Sequence, residues 1–216
     1  MQVDTVLFDL DGTLIDSAPS VAFILNEMRK SRGLEKLQIS NYRQWISLGA
    51  NDLVRNAMEA ECQNVSNLVF DFRSRYRELV TNIECLYPGV IETISTLARE
   101  GFKLGVCSNK PEQLCYKLLS ETRLLSYFGC VVGGDTTEHS KPHRKPVDFA
   151  LEKLGMPLTS AILVGDSTVD QRAAKAASLP FVFFTGGYDD GVKRDGVYKV
   201  IDTVSQVLDI VSLDIK

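Results

Sequence analysis

Short apolar runs of β-favouring residues alternate with segments of helical periodicity over most of this 216-residue chain. Runs of this length, bounded by glycine, proline or acidic residues, are typical of buried strands. Strands that alternate with helices form a parallel sheet covered by helices on both faces. The pattern therefore predicts a doubly wound, Rossmann-like α/β fold. The predicted strands are Val3–Phe8, Lys103–Cys107, Phe128–Val132, Ala161–Val164 and Phe181–Phe184.

The stretch between the first two predicted strands has helical spacing and no convincing strand. A helix is predicted over Ser17–Lys30, with Ser17 as its N-cap. From about Asn41 to Cys85, apolar residues recur at helical intervals among charged ones. We therefore expect residues 16–85 to form a helical cap domain inserted into an α/β core. The core would consist of residues 1–15 and 86–216.

The connections between the later strands are predicted to be helical, with one exception. Gly186–Lys199 is rich in glycine and aspartate and is predicted to be a surface loop. The predicted core helices are Val90–Glu100, one beginning at Pro111, Val147–Leu154, Val169–Ala177 and Val204–Val211.

Charge and cysteine content exclude several classes of protein. Lys and Arg (24) nearly balance Asp and Glu (28), and the net charge of −4 argues against nucleic acid as a partner. No apolar run approaches the ~20 residues of a membrane span, and Met1–Asp4 lacks the basic region of a signal peptide. An odd cysteine count without C-x-x-C spacing predicts buried free thiols and a cytoplasmic protein. The cysteines are Cys62, Cys85, Cys107, Cys115 and Cys130.

Polar side chains follow four of the predicted strands. They are Asp9–Thr13 after the first strand, Ser108–Lys110 after the second, Lys141 after the third and Gly165–Asp170 after the fourth. Ligands of such sheets bind beyond the carboxyl ends of the strands, where these residues meet. Clustered carboxylates repel one another unless a cation lies between them, and oxygen ligands favour Mg²⁺. Hydroxyl, amide and ammonium groups are suited to phosphate oxygens. The sequence thus predicts a magnesium and phosphate site.

Each of these residues also has a purely structural explanation. Asp11–Gly12 is a good turn, Ser167 or Thr168 caps a helix well, and Ser108–Asn109 precedes a predicted helix. Lys141 alone would usually be a solvated surface charge. Their joint occurrence at successive strand ends favours the functional interpretation, because independent caps and turns have no reason to follow that order.

The four motifs together resemble the signature of the haloacid dehalogenase superfamily over roughly Val3–Tyr188. Three segments are also similar to phosphoglycolate phosphatase-type members. These are Asp9–Ser17 (DLDGTLIDS), Ser108–Pro111 (SNKP) and Gly133–Asp135 (GGD) ahead of Lys141. The resemblance implies a phosphatase that splits hydrolysis through a covalent aspartyl phosphate. Asp9 would be the nucleophile, and Asp11 would act first as an acid and then as a base.

The same resemblance assigns ligands. Mg²⁺ would be held by the Asp9 carboxylate, the Asp11 backbone carbonyl and Asp166, with Asp170 acting directly or through water. The phosphate would be held by Thr13, Ser108, the Asn109 amide and Lys141. The family usually has Lys-Pro-x-Pro, whereas His143–Arg144 intervenes here, so Lys145 stays open as the phosphate lysine.

Asp11 and Thr13 favour a phosphatase over dehalogenase and phosphomutase relatives. The expected partner is a small phosphorylated metabolite, with 2-phosphoglycolate first, and the protein is expected to be a monomer or homodimer. A phosphatase for a sugar phosphate, nucleotide or pyrophosphate, a phosphomutase, and a phosphorylatable or inactive regulatory module are the alternatives. In the predicted cap, Gly49 would lie in a specificity loop. Arg43, Asn51 and Arg55 would meet a substrate carboxylate or form a solvated helix face.

Overall fold

The computed structural model describes residues 3–60 and 64–213. In these residues six strands form one sheet in the order β3-β2-β1-β4-β5-β6, with every neighbouring pair parallel. This confirms the predicted doubly wound α/β fold. The order reverses at β1, which lies between β2 and β4, and that is where such sheets bind ligands. The strands are β1 (Thr5–Phe8), β2 (Lys103–Cys107), β3 (Cys130–Val132), β4 (Ala161–Gly165), β5 (Phe181–Phe184) and β6 (Lys199–Ile201).

The helices lie close to where their periodicity predicts them. In the described residues they are α1 (Ala18–Lys30), α2 (Ile39–Ile46), α3 (Ala50–Met58), α4 (Val65–Glu78), α5 (Val90–Arg99), α6 (Glu112–Glu121), α7 (Lys145–Leu154), α8 (Thr168–Ala177) and α9 (Val207–Leu213).

Two local predictions were wrong. The predicted loop Gly186–Lys199 ends one residue too late, because Lys199 begins the edge strand β6, which pairs with β5. That strand has three residues, two of them exposed, and so leaves no apolar run in the sequence. Ser17 precedes α1 but makes no side-chain cap, and the Ala18 N–H instead donates to the Tyr188 hydroxyl at 3.0 Å.

Both faces of the sheet are buried, which explains why its central strands carry consecutive apolar residues rather than alternating ones. Side chains alternate along a strand, so Val6 and Phe8 pack on one face and Leu7 on the other. The Val6 face is covered by α5, α6 and α9, and the Leu7 face by α7 and α8.

The four helices α1 to α4, which lie between β1 and β2 along the chain, pack on one another. The chain enters and leaves this segment through two adjacent extended stretches. Asp16 N–H donates to the Cys85 carbonyl at 2.8 Å, and Tyr87 N–H donates to the Leu14 carbonyl at 3.1 Å. The predicted boundaries after residues 15 and 85 fall at this paired connection. The division into core and cap itself stays a prediction.

Within the described ranges, no helix is long and apolar enough to cross a membrane. Four of the five cysteines have free thiols, and Cys62 lies outside the described residues. Cys107 and Cys115 are buried as predicted, whereas Cys85 and Cys130 are only half-buried.

Candidate active site

The polar residues predicted at the strand ends lie along one edge of the sheet. The register pairs Phe8 with Val106 on one side and Val164 on the other, so β1, β2 and β4 end together. The Asp9 N–H extends the ladder by donating to the Val164 carbonyl at 2.9 Å. Ser108 likewise donates its N–H to the Val132 carbonyl at 2.9 Å. These bonds fix the side chains that follow each strand.

Three buried carboxylates and one buried ammonium form the centre of this edge. One oxygen atom each of Asp9, Asp166 and Asp170 lies within 4.8 Å of the others. The Lys141 Nζ lies 2.8 Å from Asp9 Oδ1 and 2.5 Å from Asp170 Oδ1. All four side chains are almost completely buried. A single ammonium therefore faces three acidic groups, so the cluster has a net negative charge when all of them are ionised.

The pKa values of the cluster reflect this imbalance. Burial, followed by the charge of Asp170, raises the pKa of Asp9 to about 7 even though Lys141 opposes the shift. Burial also raises the pKa of Asp166, with Asp170 and Asp9 adding to it. Burial alone would lower the pKa of Lys141, but Asp170 and Asp9 hold it above its usual range. The residues present thus fit a divalent cation, and their oxygen-only donor set suits Mg²⁺.

The raised pKa of Asp9 predicts how stability depends on pH. Between its ordinary pKa of 3.8 and about 7, the folded metal-free protein binds a proton at Asp9 that the unfolded chain does not. Stability from this group is therefore present at low pH and is lost as pH rises toward 7. Without metal, we expect the melting temperature to fall from about pH 5 to about pH 8, and Mg²⁺ to raise it more at the higher pH.

Calorimetry in EDTA and in MgCl₂ checks this prediction. Asp9→Asn removes one of the two carboxylates whose pKa is raised and should weaken the pH dependence. A metal-free melting temperature that rises over this range, or an equal effect of Mg²⁺ at both pH values, would contradict it.

Asp11 lies beside the carboxylate cluster with a different partner. Its Oδ2 is 3.0 Å from Lys110 Nζ, and its Oδ1 is buried without a hydrogen-bond partner. The Lys110 ammonium also lies 4.6 Å from the ring centroid of Tyr76 on α4. Burial alone would lower the pKa of Lys110, but Asp11 and Tyr76 raise it. The sequence motif contains Lys110 without giving it a role. Its position directly after Ser108-Asn109, at the end of the strand next to β1, was the available signal.

The four predicted phosphate ligands all reach this edge, and besides Lys141 the other three also contact protein groups. Thr13 Oγ1 donates to Asp166 Oδ1 at 3.0 Å, and Ser108 Oγ accepts the Lys110 N–H at 3.2 Å. Asn109 Nδ2 donates to the backbone carbonyls of Ser47 at 3.1 Å and Lys141 at 2.9 Å. Asn109 therefore joins the loop between α2 and α3 to the segment that carries Lys141.

The cavity enclosed by these groups is small. Its volume is about 10 Å³, and its walls include Asp9, Asp11, Ser47, Ser108 and Lys141. This is roughly the space that one water molecule requires. The helical segment therefore reaches this edge of the sheet through Ser47 and leaves little free space there.

The structure bears on two alternatives that the sequence left open, the choice between Lys141 and Lys145 and the capping role of Ser167. Lys145 is more than half exposed, with its Nζ 3.7 Å from Glu138, so it lies outside the cluster that contains Lys141. The capping interpretation of Ser167 is confirmed, because Ser167 and Asp170 form a reciprocal capping box at the start of α8. Asp170 thus caps a helix and contacts Lys141 at once.

The predicted surface loop after β5 contributes to the site through its first residues. Gly12 has φ of +88°, and a Cβ there would lie 2.3 Å from Asp166 Oδ2. A Cβ on Gly187 would lie 2.1 Å from the Gly12 carbonyl oxygen. Tyr188 donates its N–H to Asp166 Oδ2 at 2.7 Å and its hydroxyl to Asp16 Oδ1 at 3.1 Å. Gly12 and Gly187 therefore leave the space that Asp166 occupies, and Tyr188 fixes Asp166 by a hydrogen bond. Sequence reasoning missed these roles.

The residues predicted to meet a substrate carboxylate are engaged elsewhere or lie farther out. Arg43 forms an ion pair with Asp16 at 2.9 Å, and Arg55 forms one with Asp52. Asn51 lines a cleft of about 260 Å³ between the helical segment and the core, together with Gly49.

Comparisons with known proteins agree with the resemblance found in the sequence motifs. Residues 6–184 match the family described as haloacid dehalogenase-like hydrolase. The chain is 33% identical to the phosphoglycolate phosphatase of Nitrosococcus oceani, over 98% of this chain and 97% of that protein. It is 34% identical to phosphoglycolate phosphatase 1 of Pseudomonas aeruginosa, over 94% and 78% respectively. A crystal structure described as a predicted phosphoglycolate phosphatase from Haemophilus somnus matches with a TM-score of 0.89 and 28% identity, over 97% of this chain and 98% of that chain.

Proposed function

The chain belongs to the haloacid dehalogenase-like hydrolase family, and from that premise we propose that it is a Mg²⁺-dependent phosphatase whose substrate is 2-phosphoglycolate. That it is a phosphoric monoester hydrolase follows from the family and from its curated relatives. The observation that carries the proposal is the buried cavity in which Asp9, Asp11 and Lys141 meet. The names of its relatives support 2-phosphoglycolate as the substrate.

The proposed reaction has two steps. A carboxylate oxygen of Asp9 attacks phosphorus, the ester P–O bond breaks, and the leaving oxygen takes a proton from Asp11. Asp11 then takes a proton from a water molecule, whose oxygen attacks phosphorus and releases inorganic phosphate from Asp9. The unpartnered Asp11 Oδ1 is free to exchange that proton.

The other predicted residues would bind the phosphate group and the Mg²⁺ ion that neutralises its charge. Lys141, already 2.8 Å from Asp9, would hold a phosphate oxygen together with Thr13, Ser108 and Asn109. The Asp9 and Asp166 carboxylates and the Asp11 carbonyl would hold Mg²⁺, supported by Asp170. When bound, the cation would offset repulsion between these acids and the dianionic substrate.

We also propose that residues 16–85 act as a cap that opens and closes. A cavity of about 10 Å³ cannot admit a phosphate monoester, so the helical segment must move away from the core before substrate binds. The paired connection at Leu14–Asp16 and Cys85–Tyr87 would serve as the hinge. Closure would then exclude bulk water from the reacting atoms. The cytoplasmic location and the monomeric or dimeric state stay predictions.

A substrate panel tests the function. Phosphate release with and without Mg²⁺ would be measured for 2-phosphoglycolate, a sugar phosphate, a nucleotide and pyrophosphate. We expect kcat/KM for 2-phosphoglycolate to exceed the others by at least ~10-fold, a factor within reach of differences in substrate fit. Each sugar phosphate reaction would also be followed by NMR. Isomerisation without phosphate release would indicate a phosphomutase and overturn the proposal.

A further inference from the structure

Two small cavities share a wall at the edge of the sheet where Asp9 and Asp11 lie. The first is the 10 Å³ cavity at Asp9, and the second is a cavity of about 30 Å³ beneath the helical segment. Asp11 and Asn109 line both. If Asp11 protonates the leaving oxygen, as the proposed function requires, the rest of the leaving group extends past Asp11 into the second cavity. The groups lining that cavity would therefore contact the non-phosphate end of the substrate.

Arg73, on α4, is the unusual member of that lining. Its Nε is buried without a hydrogen-bond partner, and no acidic partner for its guanidinium occurs in the described parts of the chain. Three other arginines of the helical segment, Arg43, Arg55 and Arg75, each form an ion pair. The other cation of the second cavity, Lys110, is held by Asp11. Arg73 as a whole is only partly buried, but a buried Nε without an acceptor is unfavourable in the closed protein unless a ligand supplies one.

The acidic groups of the adjoining 260 Å³ cleft do not neutralise Arg73. Asp52 is paired with Arg55, and Asp135 accepts the Glu112 N–H at 2.7 Å. Arg73 lines this cleft as well as the second cavity, so it stands where a substrate would pass between them. The rest of the second cavity is largely apolar, with Leu53, Phe72 and Leu114 among its walls.

We infer that Arg73 is a specificity-determining residue that binds a carboxylate on the leaving group of the substrate. A guanidinium binds a carboxylate through two parallel N–H···O bonds, which fixes direction as well as charge. A volume of about 30 Å³ in the closed protein restricts that leaving group to a short one. The inference deepens the proposed function, on which it rests, by naming the group that recognises the acid end of 2-phosphoglycolate.

The test compares two esters that differ in the carboxylate, 2-phosphoglycolate and ethyl phosphate. For Arg73→Met, the ratio of kcat/KM values for the two should fall roughly 10- to 100-fold, the usual range for losing a hydrogen-bonded charge partner. Arg73→Lys keeps the charge without the planar fork and should recover part of the ratio. Arg75→Met is the matched control on the same helix and should leave the ratio within ~2-fold, as surface ion pairs contribute little.

A binding measurement separates this inference from the proposed function. Titration calorimetry of both esters would be carried out in an Asp9→Asn background, with and without Arg73→Met. A carboxylate preference that depends on Arg73 supports the inference even if 2-phosphoglycolate is not turned over, in which case the proposed function fails alone. Turnover with a ratio that Arg73→Met does not change overturns the inference alone. Equal binding of the two esters to the Asp9→Asn protein also overturns it.

Discussion

Asp9→Asn is expected to lower kcat by at least ~10⁴-fold, as removal of a covalent nucleophile does in other enzymes. In the absence of metal, the same variant should unfold at a higher temperature than the wild type near neutral pH. Burial and the neighbouring Asp170 disfavour the charged form of Asp9, as its pKa of about 7 indicates. Asparagine keeps the shape of the side chain without that charge, and Lys141 retains Asp170 as its partner. Loss of activity and gain of stability should therefore occur together.

Steady-state phosphate release and calorimetry in EDTA measure these two effects. Asp195→Asn makes the same chemical change at an exposed position and should alter neither. Acid quenching of the wild type with labelled substrate, followed by peptide mapping, should locate the label on Asp9. Turnover that survives the substitution, or a label on another side chain, would refute the assignment of Asp9 as nucleophile.

The parts of the site that follow strands were predictable from sequence. A buried parallel strand is an apolar run with a clear end, and parallel register brings successive ends to one edge of the sheet. Asp9, Ser108 and Asp166 therefore lie together as expected, and Lys141 joins them from the segment after β3. The same logic failed for β6, because an exposed three-residue edge strand carries almost no apolar signal.

The contacts between the helical segment and the core were not predictable in this way. Periodicity predicts that α4 is a helix, but not how it is rotated against the core, so nothing local indicates that Tyr76 covers Lys110. Arg73 resembles Arg75 and Arg77 in the sequence. Only the packed structure shows that the Arg73 Nε is buried without a partner, whereas Arg75 pairs with Asp71 and Arg77 is exposed. Tyr188 was missed because a glycine- and aspartate-rich segment has the composition of a solvated loop even where one of its residues, Tyr188, is buried.

Asp11→Asn should slow phosphorylation of Asp9 most for substrates whose leaving group must be protonated as it departs. For 2-phosphoglycolate, whose leaving group is an alkoxide, we expect kcat to fall ~10²- to 10⁴-fold, the usual contribution of a general acid or base. For 4-nitrophenyl phosphate, phosphorylation of Asp9 should stay rapid, because nitrophenolate leaves without a proton. The following hydrolysis should be slow, since it has lost its base. The aryl ester should therefore give a burst of nitrophenolate that matches the enzyme concentration, followed by slow turnover.

Stopped-flow absorbance resolves the burst, and quenched-flow phosphate release shows which step follows it. The structure supports the choice of residue, because Asp11 Oδ1 has no partner of its own while Oδ2 is held at 3.0 Å by Lys110. Asparagine preserves an acceptor for Lys110, so the site should keep its geometry and lose only the proton transfer. Equal losses for the alkyl and aryl esters, with no burst, would mean that Asp11 does not act as the acid and that another group protonates the leaving oxygen.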